Sequence, residues 1–187
     1  MPFYASTYST ELSFKNRLIR FSWSIVYALL FKTSPVVFFS WRVLLLRIYG
    51  AQIKNNCKIY PSTKVWIPSN LIIGSKVIIG PHVELYNVNK IFIDSEATIS
   101  QYAHLCTASH NIESASRELI SKPIKISNGA WVFANAFIAL GVTVNKGAIV
   151  AAGSVVVKDV KAFDVVGGNP ASFIKKREAK WLNASNL

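Results

Sequence analysis

ISNGAWVFANAFIALGVTVNKGAIVAAGSVVVKDV, residues 126–160, falls into rows of six that open on Ile126, Val132, Ile138, Val144, Val150 and Val156. Every row begins with a β-branched aliphatic residue. The fifth place is small or β-branched: Ala130, Ala136, Val142, Ala148, Ser154 and Val160. The second place is small or polar in most rows, as at Ser127, Ala139, Asn145 and Ala151. A fixed period dictates the whole architecture of a chain. A strand alone repeats every two residues and a helix every 3.6, so neither accounts for this one. A short parallel strand followed by a corner does, if the unit is wound repeatedly around a triangular prism. The first place then points inward and stacks on its equivalent one coil away, while a small residue fits near the tight corner.

Upstream, the rows resume at Ile53, Ile59 and Val65, slip by two residues to Ile73, Ile79 and Leu85, and slip again to Ile93, Ile99 and Leu105. Each set of three rows makes one coil, and the slip marks one slightly long corner per coil. Five coils over residues 51–160 are expected, an all-β parallel helix. The period breaks at 107–123, TASHNIESASRELISKP, so a loop is extruded there, carrying Ser109 and His110. Loops on rigid scaffolds are where chemistry concentrates.

The flanks differ in character. Residues 1–50 are expected to form an arm, irregular over 1–17, and an apolar helical cap. Within 18–49 the apolar runs are broken by Lys32, by Thr33-Ser34-Pro35, and by Arg42 and Arg47. No run approaches the ~20 residues that span a bilayer, so two short helices meeting at Pro35 are expected. Two readings of this segment stand side by side. It covers the open end of the prism, where a blunt coil would expose unpaired strand edges. It also offers Trp23, Tyr27 and Trp41 beside basic residues, the make-up of a peripheral membrane contact. Residues 161–187 hold the turn Gly167-Gly168-Asn169-Pro170 and then ASFIKKREAKWL, read as a short basic helix capping the other end.

The chain has 187 residues, enough for one domain with a real core, and a net charge of +12. That charge suits a polyanionic ligand or an anionic surface. It is spread along the chain without a basic stripe or a nucleic-acid motif, which argues against nucleic acid as partner. Cys57 and Cys106 are too few for a disulfide framework and lack metal-ligand spacing, so reduced thiols and a cytoplasmic setting are expected. If residues 18–49 touch a membrane, that setting is its inner face.

The hexads, the TASHNI loop, AAGSVVVKDV and GGNPASFIKKR together resemble the hexapeptide-repeat acyltransferases. FSWRVLLLRIYGAQI, LCTASHNI and PIKISNGAWV are similar to the colanic acid biosynthesis acetyltransferase group of that family, a likeness covering most of the chain. The resemblance implies a left-handed parallel β-helix, a hand opposite to the usual crossover rule. It implies transfer of an acetyl group from acetyl-CoA to a sugar hydroxyl of a surface, exo- or capsular polysaccharide, on an acceptor that can be lipid-linked. It also implies a homotrimer with sites between subunits, a closed ring with no dangling interface. His110 takes the place of the general base. His82 takes an acceptor-contacting place, set against its reading as a plain surface histidine; Glu84, two residues on, and Ser109 are further candidates for acceptor contact. Ala134, Ala152 and Gly153 match positions along the pantetheine arm of coenzyme A, and Trp131 either flanks that arm or fills the exterior. Lys158 matches a residue near its 3′-phosphate, and Arg177 with Lys175 and Lys176 either extends that basic end or belongs to a solvated basic helix. Phe133 stands where relatives often carry a small residue and could crowd the arm.

The chemistry fits the residue types. A hydroxyl attacks a thioester only as its proton is removed, and an imidazole, ordinarily of pKa ~6.5, suits that task near neutral pH. Direct attack needs no acyl-enzyme, and no serine has a base in an evident triad. His104, six residues before His110, takes the same place in the preceding row, faces another side, and is expected to be structural. Other readings remain open: transfer to serine, an antibiotic or a nucleotide-sugar amine; a carbonic-anhydrase-type site in which His82, His104 and His110 hold zinc, although their spacings do not match that pattern; or a catalytically silent scaffold. No metal is expected.

Overall fold

Each hexad supplies one short strand and one corner, and the strands of successive coils lie directly over one another. A computed structural model describes residues 14–178. Its body is a three-faced parallel β-helix. The first face stacks Gln52–Ile53, Leu71–Ile73, Ile91–Ile93, Ile124–Ile126 and Thr143–Val144. The second stacks Lys58–Ile59, Ile78–Ile79, Thr98–Ile99, Trp131–Val132, Ile149–Val150 and Asp164–Gly168. The third stacks Lys64–Val65, Glu84–Tyr86, His104–Cys106, Phe137–Ile138 and Val155–Val156. Strands this short have no stability alone; neighbours above and below supply their hydrogen bonds, and the interior supplies their burial.

The register places every row-opening residue over its predecessor. Ile59, Ile79, Ile99, Val132 and Val150 form one such column, and all are buried. The fifth-place residues form a second inward column at each corner, where Ala97, Ala130 and Ala148 are buried. The backbone turns these corners through the left-handed region, at Asn56, Lys76, Glu96, Gly129 and Gly147 on one edge and His82, Tyr102, Asn135 and Gly153 on the next. Gly147 has a further reason to be glycine: a Cβ there would lie 2.6 Å from the Phe163 ring.

The third edge is the long one. Between Val65 and Leu71 it includes a short helical turn, Pro68–Asn70. The fully buried Asn87 side chain satisfies it, accepting the N–H groups of Trp66 (3.0 Å) and Ile67 (3.1 Å) and donating to Ile67 O (2.6 Å). An unpaired buried amide would be costly, so this asparagine is what makes the extra residues tolerable.

The helix exceeds the five coils read from the hexads. Val160 bridges to Val144 and Asp164–Gly168 pairs with Ile149–Val150, beginning a sixth coil. Residues 171–176, read as the start of a basic helix, are instead a strand, Ala171–Lys176, antiparallel to Asp164–Gly168. An exposed last edge of backbone donors and acceptors favours a paired strand over a free helix. Lys176 forms an ion pair with Asp164 across the hairpin. The rest of the expected helix, from residue 179, lies outside the described residues.

At the other end, helix α1 (Phe14–Val26) begins inside the stretch read as an irregular arm; residues 1–13 of that arm are outside the described residues. It continues through a wider turn, Tyr27–Phe31, and after residues 32–38 the chain enters helix α2 (Phe39–Ile48). Trp23, Tyr27 and Phe31, spaced by four, form one aromatic stripe, with Trp23 and Phe31 buried. The Trp23 indole N–H donates to Val65 O at 2.8 Å, fixing α1 to the first coil. Val43, Leu45 and Leu46 of α2 join the same core. Arg42 is fully buried there, its guanidinium donating to Ile59 O (2.5 Å), Ser34 Oγ (2.8 Å), Pro35 O (2.8 Å) and Val36 O. Burial lowers its pKa. Among the described residues no helix is long and apolar enough to cross a membrane.

Candidate active site

The extruded loop springs from the long edge of the prism, after His104–Cys106. Its stem is closed by Thr107, which is buried. The Thr107 hydroxyl donates to Tyr86 O and accepts the Asn89 N–H, both at 2.9 Å, and its carbonyl accepts the Lys122 N–H at 3.0 Å. Beyond the stem, Ala108–His110 pairs antiparallel with Leu119–Ser121, so the loop is a β-hairpin rather than a free strap. Its tip is knotted by Glu118, whose carboxylate accepts Asn111 Nδ2–H (2.6 Å) and Ser116 Oγ–H (2.7 Å). Hydrogen bonds from Ser114, Ser116 and Asn111 hold that carboxyl down to about 2.

His110 stands at the end of the outgoing strand, half-buried, with Nδ1 2.7 Å from the backbone carbonyl of Arg117. A carbonyl only accepts, so the proton sits on Nδ1 and the ring's lone pair is on Nε2. Arg117 presents that carbonyl from the left-handed region, φ +47°, an uncommon conformation for a side-chain-bearing residue. Residues 110–115 and Arg117 wall a hollow of about 600 Å³ beside the imidazole. Ser109 is exposed on the opposite side of the strand.

Several other candidates share one edge, the corner between the second and third faces. His82 stands there in the second coil, Ala134 in the fourth, and Ala152 and Gly153 in the fifth. The Gly153 N–H donates to Ala134 O at 2.9 Å, and nothing lies within 4 Å of where a Cβ on Gly153 would stand. The column is therefore a shelf of small residues open to the outside. His82 is exposed. Its N–H donates to Ser62 Oγ (3.0 Å) and its ring lies flat on Tyr102, centroids 4.8 Å apart. Trp131 adjoins on the second face, its indole N–H donating to Ser100 Oγ (2.9 Å). Phe133 stands edge-on to it at 4.7 Å, so the residue expected to crowd the arm packs against Trp131.

The remaining candidates are placed apart from these. Glu84 lies on the third face, 3.9 Å from the Lys64 ammonium in the coil below. Lys158 follows the last strand of that face, on the long edge from which the loop springs. Arg177 lies on the remaining edge, where its guanidinium donates to Gly129 O (3.1 Å) and Gly147 O (3.0 Å). Within this chain, then, His110 and the small-residue shelf sit on opposite edges of the third face. His104 lies on that face between them, edge-on to Phe137 at 5.2 Å. Its Nε2 is buried without a hydrogen-bond partner among the described residues, and burial lowers its pKa. Among the described residues no three His, Cys, Asp or Glu side chains gather as a metal site. Cys57 and Cys106 are free thiols. The Arg117 carbonyl that orients His110 escaped the sequence reading, because every residue carries a carbonyl and nothing marks one of them in advance.

A coiled prism with a histidine on an extruded hairpin defines the class of hexapeptide-repeat acetyltransferases. The fold superposes on such an enzyme from Vibrio cholerae O1 biovar eltor, solved in complex with acetyl coenzyme A, with TM-score 0.80 and 25% identity over 89% of this chain and 91% of that one. A maltose O-acetyltransferase from Clostridium difficile 630 shares the fold at TM-score 0.78 and 24% identity, over 89% and 90% of the two chains. No family model matches the chain. In sequence it is 39% identical, over 155 residues, to the protein named as the colanic acid biosynthesis acetyltransferase WcaF of Escherichia coli (strain K12), covering 83% of this chain and 85% of that one. The chain belongs to this family, the hexapeptide-repeat acetyltransferases of the colanic acid biosynthesis group.

Proposed function

We propose that the protein transfers an acetyl group from acetyl-CoA to a sugar hydroxyl of a glycan intermediate in surface polysaccharide assembly, with His110 as general base. The observation that carries this reading is the His110–Arg117 contact: a 2.7 Å bond to a carbonyl acceptor leaves Nε2 as the basic atom of the ring. The hairpin that holds it is closed at stem and tip, so the base is oriented before substrate arrives.

His110 Nε2 takes the hydroxyl proton as the sugar oxygen bonds to the acetyl carbonyl carbon. The imidazolium then returns that proton to sulfur as the carbon–sulfur bond breaks, giving the acetyl ester and free thiol with the ring restored. The open shelf of Ala134, Ala152 and Gly153 suits a pantetheine arm, since small side chains let it approach the backbone. The Trp131–Phe133 pair flanks that arm, and Lys158 supplies a cation for phosphate. His82, Glu84 and Ser109 are the proposed acceptor contacts. Because His110 and the shelf stand on opposite edges of one face, the complete site is proposed to form between protomers of a trimer, the hairpin of one meeting the shelf of its neighbour.

The test is release of free thiol from acetyl-CoA in the presence of candidate sugars and glycan oligomers, for the wild-type protein and for His110→Ala. Acetyl ester formation that depends on His110 is expected. Turnover unaffected by the substitution, or acetylation of amines alone, would overturn the reading.

A further inference from the structure

The helical segment before the first coil uses only one of its faces. Trp23, Phe31 and Leu46 are buried against the prism. The opposite side leaves Leu29, Val37 and Ile48 exposed by 66%, 74% and 67%, with Phe38 at 54%. Leu29, Leu30, Pro35, Phe38, Trp41 and Leu44 wall one open apolar groove of about 670 Å³. Among the described residues nothing covers it. A contiguous apolar surface of this kind marks an interaction site, unlike apolar residues scattered singly.

The patch is held rigid. Arg42 donates to the Ser34 hydroxyl and to the carbonyls of Pro35 and Val36 while also bonding Ile59 of the first coil. The tip at 36–38 is thereby clamped to the prism with its apolar side chains outward. The Trp41 indole N–H donates to Leu30 O at 3.1 Å, tying the two helical arms together at the groove. Docking such a surface carries little further ordering cost.

Charge decides the occupant. Between Glu11 and Glu84 the sequence contains no carboxylate but ten Lys and Arg, of which Arg17, Lys32, Lys54 and Lys58 are exposed. A second copy docked on the patch would bring two net-cationic segments together, neither carrying a carboxylate of its own to offset the other. An anionic lipid surface accepts both features, the apolar side chains among its acyl chains and the cations among its headgroups. We infer that the outer face of the N-terminal helical hairpin docks in the plane of an anionic membrane, with Val36–Phe38 as its inserted tip. The inference stands independently of the acetyl-transfer reading.

The test is co-sedimentation of the full chain with vesicles of phosphatidylcholine alone and of phosphatidylcholine with 30% phosphatidylglycerol, at low and at high salt. Binding to the anionic vesicles is expected, weakened by about ten-fold or more on neutral vesicles and reduced by salt. Val37→Asp and, separately, Leu29→Asn should each release the protein from the vesicles while leaving its thermal melting in place. Absence of vesicle binding overturns the inference, as does equal binding to both vesicle types or binding unchanged in folded variants. A change of solution mass produced by these substitutions, without vesicle binding, would overturn it in favour of a second copy on the same face.

Discussion

A histidine is a useful base only if its lone pair points at the proton to be taken, and here one backbone carbonyl sets that direction. Replacing His110 by Ala removes the proposed base but not the hairpin, whose stem and tip bonds belong to other residues. A loss of about 10²–10⁴ in kcat is expected, with melting unchanged, read from the thiol-release assay. His104 gives the opposite case, a histidine whose titration concerns stability. Burial lowers its pKa, outweighing the raising effect of Glu84, so the folded protein keeps it neutral where an unfolded chain, near ~6.5, takes up a proton. The unfolded state therefore binds more protons in that window. Stability is complete above the unfolded value and declines as pH falls through it toward the lowered one. Denaturation midpoints from pH 7.5 to 5 should fall for the wild type and fall less for His104→Gln; identical slopes would mean that His104 has no part in the decline.

At the scale of elements, the hexads state their own structure, because a β-branched residue every six positions has no other way to be buried. Ile59, Ile99 and Leu105 lie inside as the period requires, and the loop announces itself where the period fails. Three features were hidden. ASFIKK reads as helical from its basic residues, but the open edge of the last coil pairs it as a strand, tertiary context outweighing propensity. The extra half-coil after Val160 was hidden because the inward places of Asp164–Gly168 hold a carboxylate, Asp164, beside Val166, which breaks the apolar pattern. Arg42 reads as a charge interrupting an apolar run, yet it is buried, its partners being carbonyls and a hydroxyl that no pattern of letters displays. Arg42→Met keeps the bulk but strands acceptors on two segments, and should cost ~3 kcal/mol or more by chemical denaturation. Arg42→Lys should recover little of that, since a point cation cannot reach four acceptors spread over a planar fork. A melt of Arg42→Lys matching the wild type would show that charge, not geometry, holds the hairpin.

For the whole molecule, stacking makes every coil the floor of one neighbour and the ceiling of the other. Ile99 sits mid-stack between Ile79 and Val132, fully buried, so Ile99→Ala opens a cavity that no end can relax and should cost ~2–5 kcal/mol by denaturant titration. The same rigidity argues for a shared site. A prism this stiff cannot fold one edge onto another, so the proposed site, with the His110 hairpin and the shelf at Gly153 on opposite edges of the third face, requires a boundary between protomers. Two variants expected to be inactive test this together: His110→Ala lacks the proposed base, and Ala152→Trp fills the shelf at an exposed position without forcing a left-handed backbone. Co-refolded in equal amounts, they would assemble, in the proposed trimer, into four compositions. In each mixed trimer one boundary pairs an intact hairpin with an intact shelf. Recovery of about one quarter of wild-type turnover is then expected from random assembly. Sites contained within single protomers would recover none, because every chain in the mixture carries a defect, and an active monomer at low protein concentration would refute the shared arrangement just as directly.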